Sequence, residues 1–147
     1  MLISREDIAG MIPHAGAMHL LDGVLSWDAD RIRCLSRSHR DRQNPLRMDG
    51  RLSALCGIEY AAQAMAVHGA LAGNVLKRPQ LGYLASLREV RCSRPRIDDL
   101  EGDLIVEAER MMGEESHVIY GFEVRVGDVE VLRGRAAVVL EASRAGS

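Results

Sequence analysis

Glu59 lies within Leu52 to Gly73, a 22-residue run that is otherwise mostly small and apolar, with seven alanines and three glycines. A carboxylate carried into such a segment must leave water on folding, at a cost on the order of several kcal/mol unless it is paired, hydrogen-bonded or protonated. A carboxyl that holds its proton near neutral pH can act as a general acid, and an apolar surround favours that form. Gln63 stands one helical turn beyond Glu59 on the same face, where it can orient the carboxylate. His68, nine residues past Glu59, falls on another part of the helix surface and is expected to be a satisfied core or interface group. Upstream, His14 and His39 are the further candidates. His14 follows Pro13, where a turn-stabilising hydrogen bond competes with proton transfer, and His39 sits in a basic loop, where solvation is the simpler expectation.

The element that must position Glu59 is a buried helix. The run has about the length that crosses a bilayer. Its Glu59, Gln63 and His68 would be expensive in lipid, however, and it is rich in Ala and Gly where a spanning helix carries Leu, Ile and Phe. A helix apolar on nearly every side cannot lie on the outside of a sheet, so it is expected to be wrapped by one. The flanking sequence supplies the strands. Residues 19 to 27 and 31 to 37 read as a hairpin turning at Asp28 to Asp30, preceded by a short helix over residues 5 to 11 that is capped by Ser4 and ended by Pro13. Residues 38 to 51 form a polar loop, and Ser53 is placed to cap the long helix. After it, Leu81 to Cys92, Asp103 to Arg110, His117 to Val126 and Val129 to Leu140 alternate or are rich in β-branched residues, with Gly127-Asp128 as a hairpin turn. The expected class is α+β, a curved antiparallel sheet around one central helix, in a single domain over residues 1 to 147.

Composition narrows the function. A 147-residue chain with 47% hydrophobic residues can build a full core. Net charge of −2, with no aromatic-rich basic segment, argues against nucleic acid. Cys34, Cys56 and Cys92 are odd in number, widely spaced and without metal-ligand spacing, which fits reduced thiols in the cytoplasm. The first twenty residues lack a basic region followed by a continuous apolar stretch, so no export signal is expected.

Three segments, in order, resemble one family. Ile12-Pro13-His14-Ala15-Gly16-Ala17-Met18-His19-Leu20-Leu21-Asp22-Gly23-Val24 is similar to the Leu-Pro-His...Leu-Leu-Val-Asp-Arg-Val segment of bacterial 3-hydroxyacyl-carrier-protein dehydratases of the fatty-acid type. Gly57-Ile58-Glu59-Tyr60-Ala61-Ala62-Gln63-Ala64 resembles their Leu-Glu-Ala-Met-Ala-Gln-Ala helix, and Gly82-Tyr83-Leu84-Ala85, Arg94-Pro95 and Gly102-Asp103 resemble the strand and exit that follow. Asn44-Pro45-Leu46-Arg47 brings the chain closer to a divergent branch, the dehydratases of aryl polyene biosynthesis clusters. The resemblance implies the hotdog fold, a dimer with acyl tunnels at the subunit interface, no cofactor, and a catalytic carboxylate at the position of Glu59. It departs at one place: the family's Gly-His-Phe-Pro-Gly loop, which carries its base, aligns with Asn44, Pro45 and Leu46.

The activity so implied is loss of water from a 3-hydroxyacyl thioester on an acyl carrier protein. It needs an acid for the departing hydroxyl, a base for the α-proton, and donors for the thioester carbonyl. Glu59 is assigned as acid and His14 as base, with His39, Asn44 and Gln63 secondary. Backbone N–H groups at Ser53 to Leu55, the start of the helix, are expected to serve the carbonyl. Two arginine stretches, Arg37, Arg40, Arg42, Arg47 and Arg51, then Arg88, Arg91, Arg94 and Arg96, can guide an acidic, phosphate-bearing carrier. The missing histidine motivates an alternative, a half-site subunit completing a hetero-oligomeric dehydratase, and thioester hydrolysis is a further one.

Overall fold

The computed structural model describes residues 2–12, 18–73, 80–113 and 117–142. The elements are β1 (Ile3–Ser4), α1 (Arg5–Ala9), β2 (Gly23–Trp27), β3 (Arg31–Ser36), α2 (Gly57–Gly73), β4 (Gln80–Cys92), β5 (Leu104–Gly113), β6 (His117–Val126) and β7 (Val129–Ala142). All seven strands join one antiparallel sheet in the order β1-β2-β3-β5-β6-β7-β4, and α2 packs against its inner face, the hotdog arrangement. No helix among the described residues is long and apolar enough to cross a membrane.

Local chemistry sets most element ends. Ser4 Oγ accepts from the Asp7 N–H at 3.3 Å, and α1 closes at Ala9, where the Gly10 N–H turns back to the Ile8 carbonyl. Asp28 Oδ1 accepts from the N–H groups of Asp30 and Arg31, each at 2.8 Å, which makes the β2–β3 turn and lowers the Asp28 pKa. Gly127, at φ +56°, opens the β6–β7 turn. Strand β2 begins at Gly23, four residues later than the sequence implies. The reason is that the backbone of Met18 and Leu20 bonds to side chains instead of a neighbouring strand.

Alternate residues of the strands enclose the core. Ile32 and Cys34, Val106 and Ala108, and Tyr120, Phe122 and Val124 point inward with Tyr60, Ala61, Ala64 and Val67 of α2. Burial pushes the Cys34 thiol up to about 12, so it stays protonated in the core. Gly57 lets the first turn of α2 sit close on the sheet, since a Cβ there would lie 3.0 Å from Leu132 Cδ2. The sheet wraps the helix as expected, and one side of the helix stays partly open within the single chain. Leu55 (56% exposed), Glu59, Ala62, Ala66 and Gly69 form a stripe along one side of α2 that is left partly open, and a Cβ on Gly69 would meet nothing within 4 Å. The long edge strand β4 is likewise paired on one side only among the described residues.

The approach to α2 is held by a second loop. Ser53 caps the helix as expected, its Oγ accepting from Leu55 N–H at 3.2 Å through a 3-10 turn over Ala54–Cys56. The Ile97 N–H donates to the Leu52 carbonyl, and Asp98 Oδ1 accepts from the Leu52 N–H at 2.8 Å. Arg96 closes on the Asp98 carboxylate, holding it well below the usual carboxylate range. A carboxyl depressed in the folded state stabilises above its unfolded pKa, about 4, and that contribution is lost as pH falls. Asp98→Asn is therefore expected to lower the urea midpoint at pH 7, with the difference from wild type shrinking steadily between about pH 4 and pH 2. A difference independent of pH would contradict this assignment.

Candidate active site

Glu59 occupies the first turn of α2 and is half-buried rather than enclosed, because it stands on the open stripe. Gln63, wholly buried, organises its surroundings. Its Nε2 donates to the Met18 carbonyl at 2.7 Å and more weakly to Glu59 Oε1 at 3.4 Å, while its Oε1 accepts from the Leu20 N–H at 2.9 Å. The side chain assigned to orient the carboxylate thus clamps the N-terminal segment beside it. The Leu20 carbonyl is held from the other side by the hydroxyls of Ser36, at 2.6 Å, and Ser38, at 2.9 Å.

The hydroxyl network continues to Tyr60, next to Glu59 on α2. With Ser38 Oγ–H directed at Leu20, the Tyr60 hydroxyl donates to Ser38 Oγ at 2.7 Å. Asn44 Nδ2 donates both to the Tyr60 oxygen, at 3.0 Å, and to the Ser38 carbonyl, at 2.9 Å, and its Oδ1 accepts from the Leu46 N–H. Asn44 therefore uses its amide to fix the loop that stands where the family's histidine loop would be. Burial raises the Tyr60 pKa, so the phenol is a donor in this network and remains protonated.

The histidines separate. His14 lies outside the described residues. His39 is fully buried instead of solvated: Nε2–H donates to the Leu100 carbonyl at 3.1 Å, and burial lowers its pKa. Its ring joins the 38–40 turn to the loop before β5. His68 is a satisfied core group, as expected, with Nε2–H donating to the Asp28 carbonyl at 2.9 Å and Nδ1 2.7 Å from the Tyr120 hydroxyl. Burial pushes the Tyr120 phenol up to about 12.

His19 has no part in the sequence-based expectations. It is 3% exposed and lines a cavity of about 380 Å³ with Ser38, Asn44 and Pro45. No local signal in the sequence marks it, because the Gln63 bonds that fix the backbone on either side of it, to the Met18 carbonyl and the Leu20 N–H, span more than forty residues. The start of the helix also differs from expectation. The Ala54 N–H donates to the Pro95 carbonyl and the Leu55 N–H to Ser53 Oγ, so these donors are occupied by loop packing and capping. Among the described residues no cluster of His, Cys, Asp and Glu is arranged to hold a metal.

Comparison with solved structures supports the fold. The chain is similar to the dehydratase heterocomplex ApeI:P from Xenorhabdus doucetiae, with a TM-score of 0.80 at 23% identity over 92% of this chain and 91% of that one. It is also similar to a thioesterase from Haemophilus influenzae, with a TM-score of 0.67 at 13% identity over 97% and 96% of the two chains. A mutant thioesterase from Pseudomonas aeruginosa superposes with a TM-score of 0.61 at 8% identity, over 82% and 81%. No curated protein matches the chain by sequence. The model of the ApeP-like family, described as ApeP dehydratase, matches residues 6–145, which takes in the Gln63 clamp, Glu59 and every strand from β2 to β7, and the chain belongs to that family.

Proposed function

We propose that this chain acts in the dehydration of 3-hydroxyacyl thioesters borne by an acyl carrier protein, yielding 2-enoyl thioesters in aryl polyene or fatty-acid-like synthesis. The observation that carries the reading is Glu59, a carboxyl in the first turn of the central helix, half-buried and tied to Gln63. In the proposed step a base removes the α-proton, the electron pair forms the Cα=Cβ bond, and the Cβ–O bond breaks. Glu59 delivers the proton that lets the hydroxyl leave as water. His14 is the proposed base, and His19 is a second candidate because Gln63 bonds the backbone on both sides of it.

A half-site role within a hetero-oligomer has its own support. The stripe containing Glu59 is partly open, and β4 offers a thirteen-residue edge to another hotdog subunit. A neighbour could then complete the acyl channel and supply a further catalytic group. The deciding experiment incubates a short (3R)-3-hydroxyacyl carrier protein with this chain alone and with a dehydratase subunit from the same biosynthetic cluster, following loss of water by mass spectrometry. Enoyl product from the isolated chain is the expected result. Product only from the mixture transfers the reading to the half-site role, and release of free carrier thiol without enoyl product replaces both with hydrolysis.

A further inference from the structure

We infer that Tyr60 is a positioning residue of the proposed dehydration: through Ser38, Leu20 and Gln63 it fixes which oxygen of Glu59 carries the transferable proton. The inference rests on Glu59 as the acid proposed above. Two side-chain amides bracket the network, and an amide accepts at one end only and donates at the other. Backbone groups orient both. Asn44 Oδ1 faces the Leu46 N–H at 2.9 Å, which turns its Nδ2 to the Ser38 carbonyl and to the Tyr60 oxygen, at 2.9 and 3.0 Å. Gln63 Oε1 faces the Leu20 N–H at 2.9 Å, which turns its Nε2 to the Met18 carbonyl at 2.7 Å and to Glu59 Oε1 at 3.4 Å.

The hydroxyls between the two amides have one proton each, so the direction of every bond follows. Having accepted from Asn44, the Tyr60 oxygen sends its proton to Ser38 Oγ, 2.7 Å away, and Ser38 sends its own to the Leu20 carbonyl at 2.9 Å. A carbonyl can only accept, and the Ser36 hydroxyl closes on the same oxygen at 2.6 Å. Leu20 is thus gripped at its carbonyl from the Tyr60 side and at its N–H from the Gln63 side. Tyr60 and Gln63 are three residues apart on α2, within reach of one another's partners. With Gln63 Nε2 directed at Oε1 of Glu59, that oxygen is the acceptor, and neutral Glu59 carries its proton on Oε2. The Gln63–Glu59 contact is the longest link in the chain, so it is the first to lapse when Leu20 shifts. Tyr60 is wholly buried, and it acts on Glu59 through Leu20 and Gln63.

The test is a double-mutant cycle on enoyl formation from carrier-bound substrate, run in whichever assembly supports wild-type turnover. Its members are Tyr60→Phe, Glu59→Gln and the pair together, with folding checked by circular dichroism and a thermal melt. In Tyr60→Phe the Ser36 hydroxyl still holds the Leu20 carbonyl and Asn44 still holds the Ser38 carbonyl, so a folded protein is expected. A second cycle with Ser38→Ala in place of Tyr60→Phe cuts the same chain one link further on and serves if the phenylalanine variant does not fold. Either single variant is expected to lower kcat about tenfold with KM within about twofold of wild type. In the Glu59→Gln background neither should cause a further loss, because the proton they place is already gone. The same tenfold loss in both backgrounds would reduce Tyr60 to a structural role and overturn the inference. Wild-type kcat in folded Tyr60→Phe would overturn it too, as would a change confined to KM. If Glu59→Gln itself turns over like wild type, the acid assignment fails, an outcome separate from additivity within an intact cycle.

Discussion

Glu59→Gln is expected to lower dehydration by about three orders of magnitude while leaving thermal stability close to wild type. Gln keeps the size and planarity of the carboxyl and retains an oxygen for the 3.4 Å contact from Gln63 Nε2. It cannot release an acidic proton to the departing hydroxyl, and general acid catalysis of this kind contributes roughly 10² to 10⁴ in rate. Because Glu59 stands on the partly open stripe, the substitution leaves no wholly enclosed polar group behind. The measurement is single-turnover enoyl formation on carrier-bound substrate, together with a thermal melt, in whichever assembly supports wild-type turnover. Turnover within a fewfold of wild type in a folded variant would remove Glu59 from the chemistry.

The second large effect belongs to Gln63→Leu, which keeps an approximate volume but removes three hydrogen bonds. The Leu20 N–H is buried and the Met18 carbonyl partly so, and neither gains a replacement from a leucine. An unsatisfied buried group costs roughly 1–3 kcal/mol, so a loss of about 3 kcal/mol is expected. For a chain of this size that corresponds to a melting temperature lower by about 6–12 °C. Turnover should fall as well, since the segment carrying His19, and leading back to His14, is no longer registered against Glu59. Hydrogen exchange gives a readout specific to the clamp: the Leu20 amide should exchange far faster in the variant. Retained protection at Leu20 would show that the Ser36 and Ser38 hydroxyls alone hold this segment.

Much of the scaffold was legible because its signals are local. Ser4, Ser53 and Asp28 act on N–H groups two or three residues away, and Gly127 meets the conformational demand of its own turn. Alternation along β5 and β6 records which side faces the core without reference to any partner strand. The run around Glu59 announced a central helix through composition. Residues 19 to 22 misled for the opposite reason: their pattern is that of a strand, but Gln63 takes the Leu20 N–H from forty-three residues away.

The sequence by itself therefore determined the curved sheet around one helix, the family, and the carboxylate most worth testing, because periodicity, caps and motif order are properties of neighbouring residues. Folding across long separations decided the rest. It buried His39 under the Leu100 carbonyl, committed Asn44 to Tyr60, brought His19 to a cavity, and left Glu59 on an open stripe. It also set Arg88 and Arg91 against Arg135 and Arg133. Such contacts depend on strand register and on which backbone groups remain unpaired once the sheet has closed, and no local pattern in the chain carries that information.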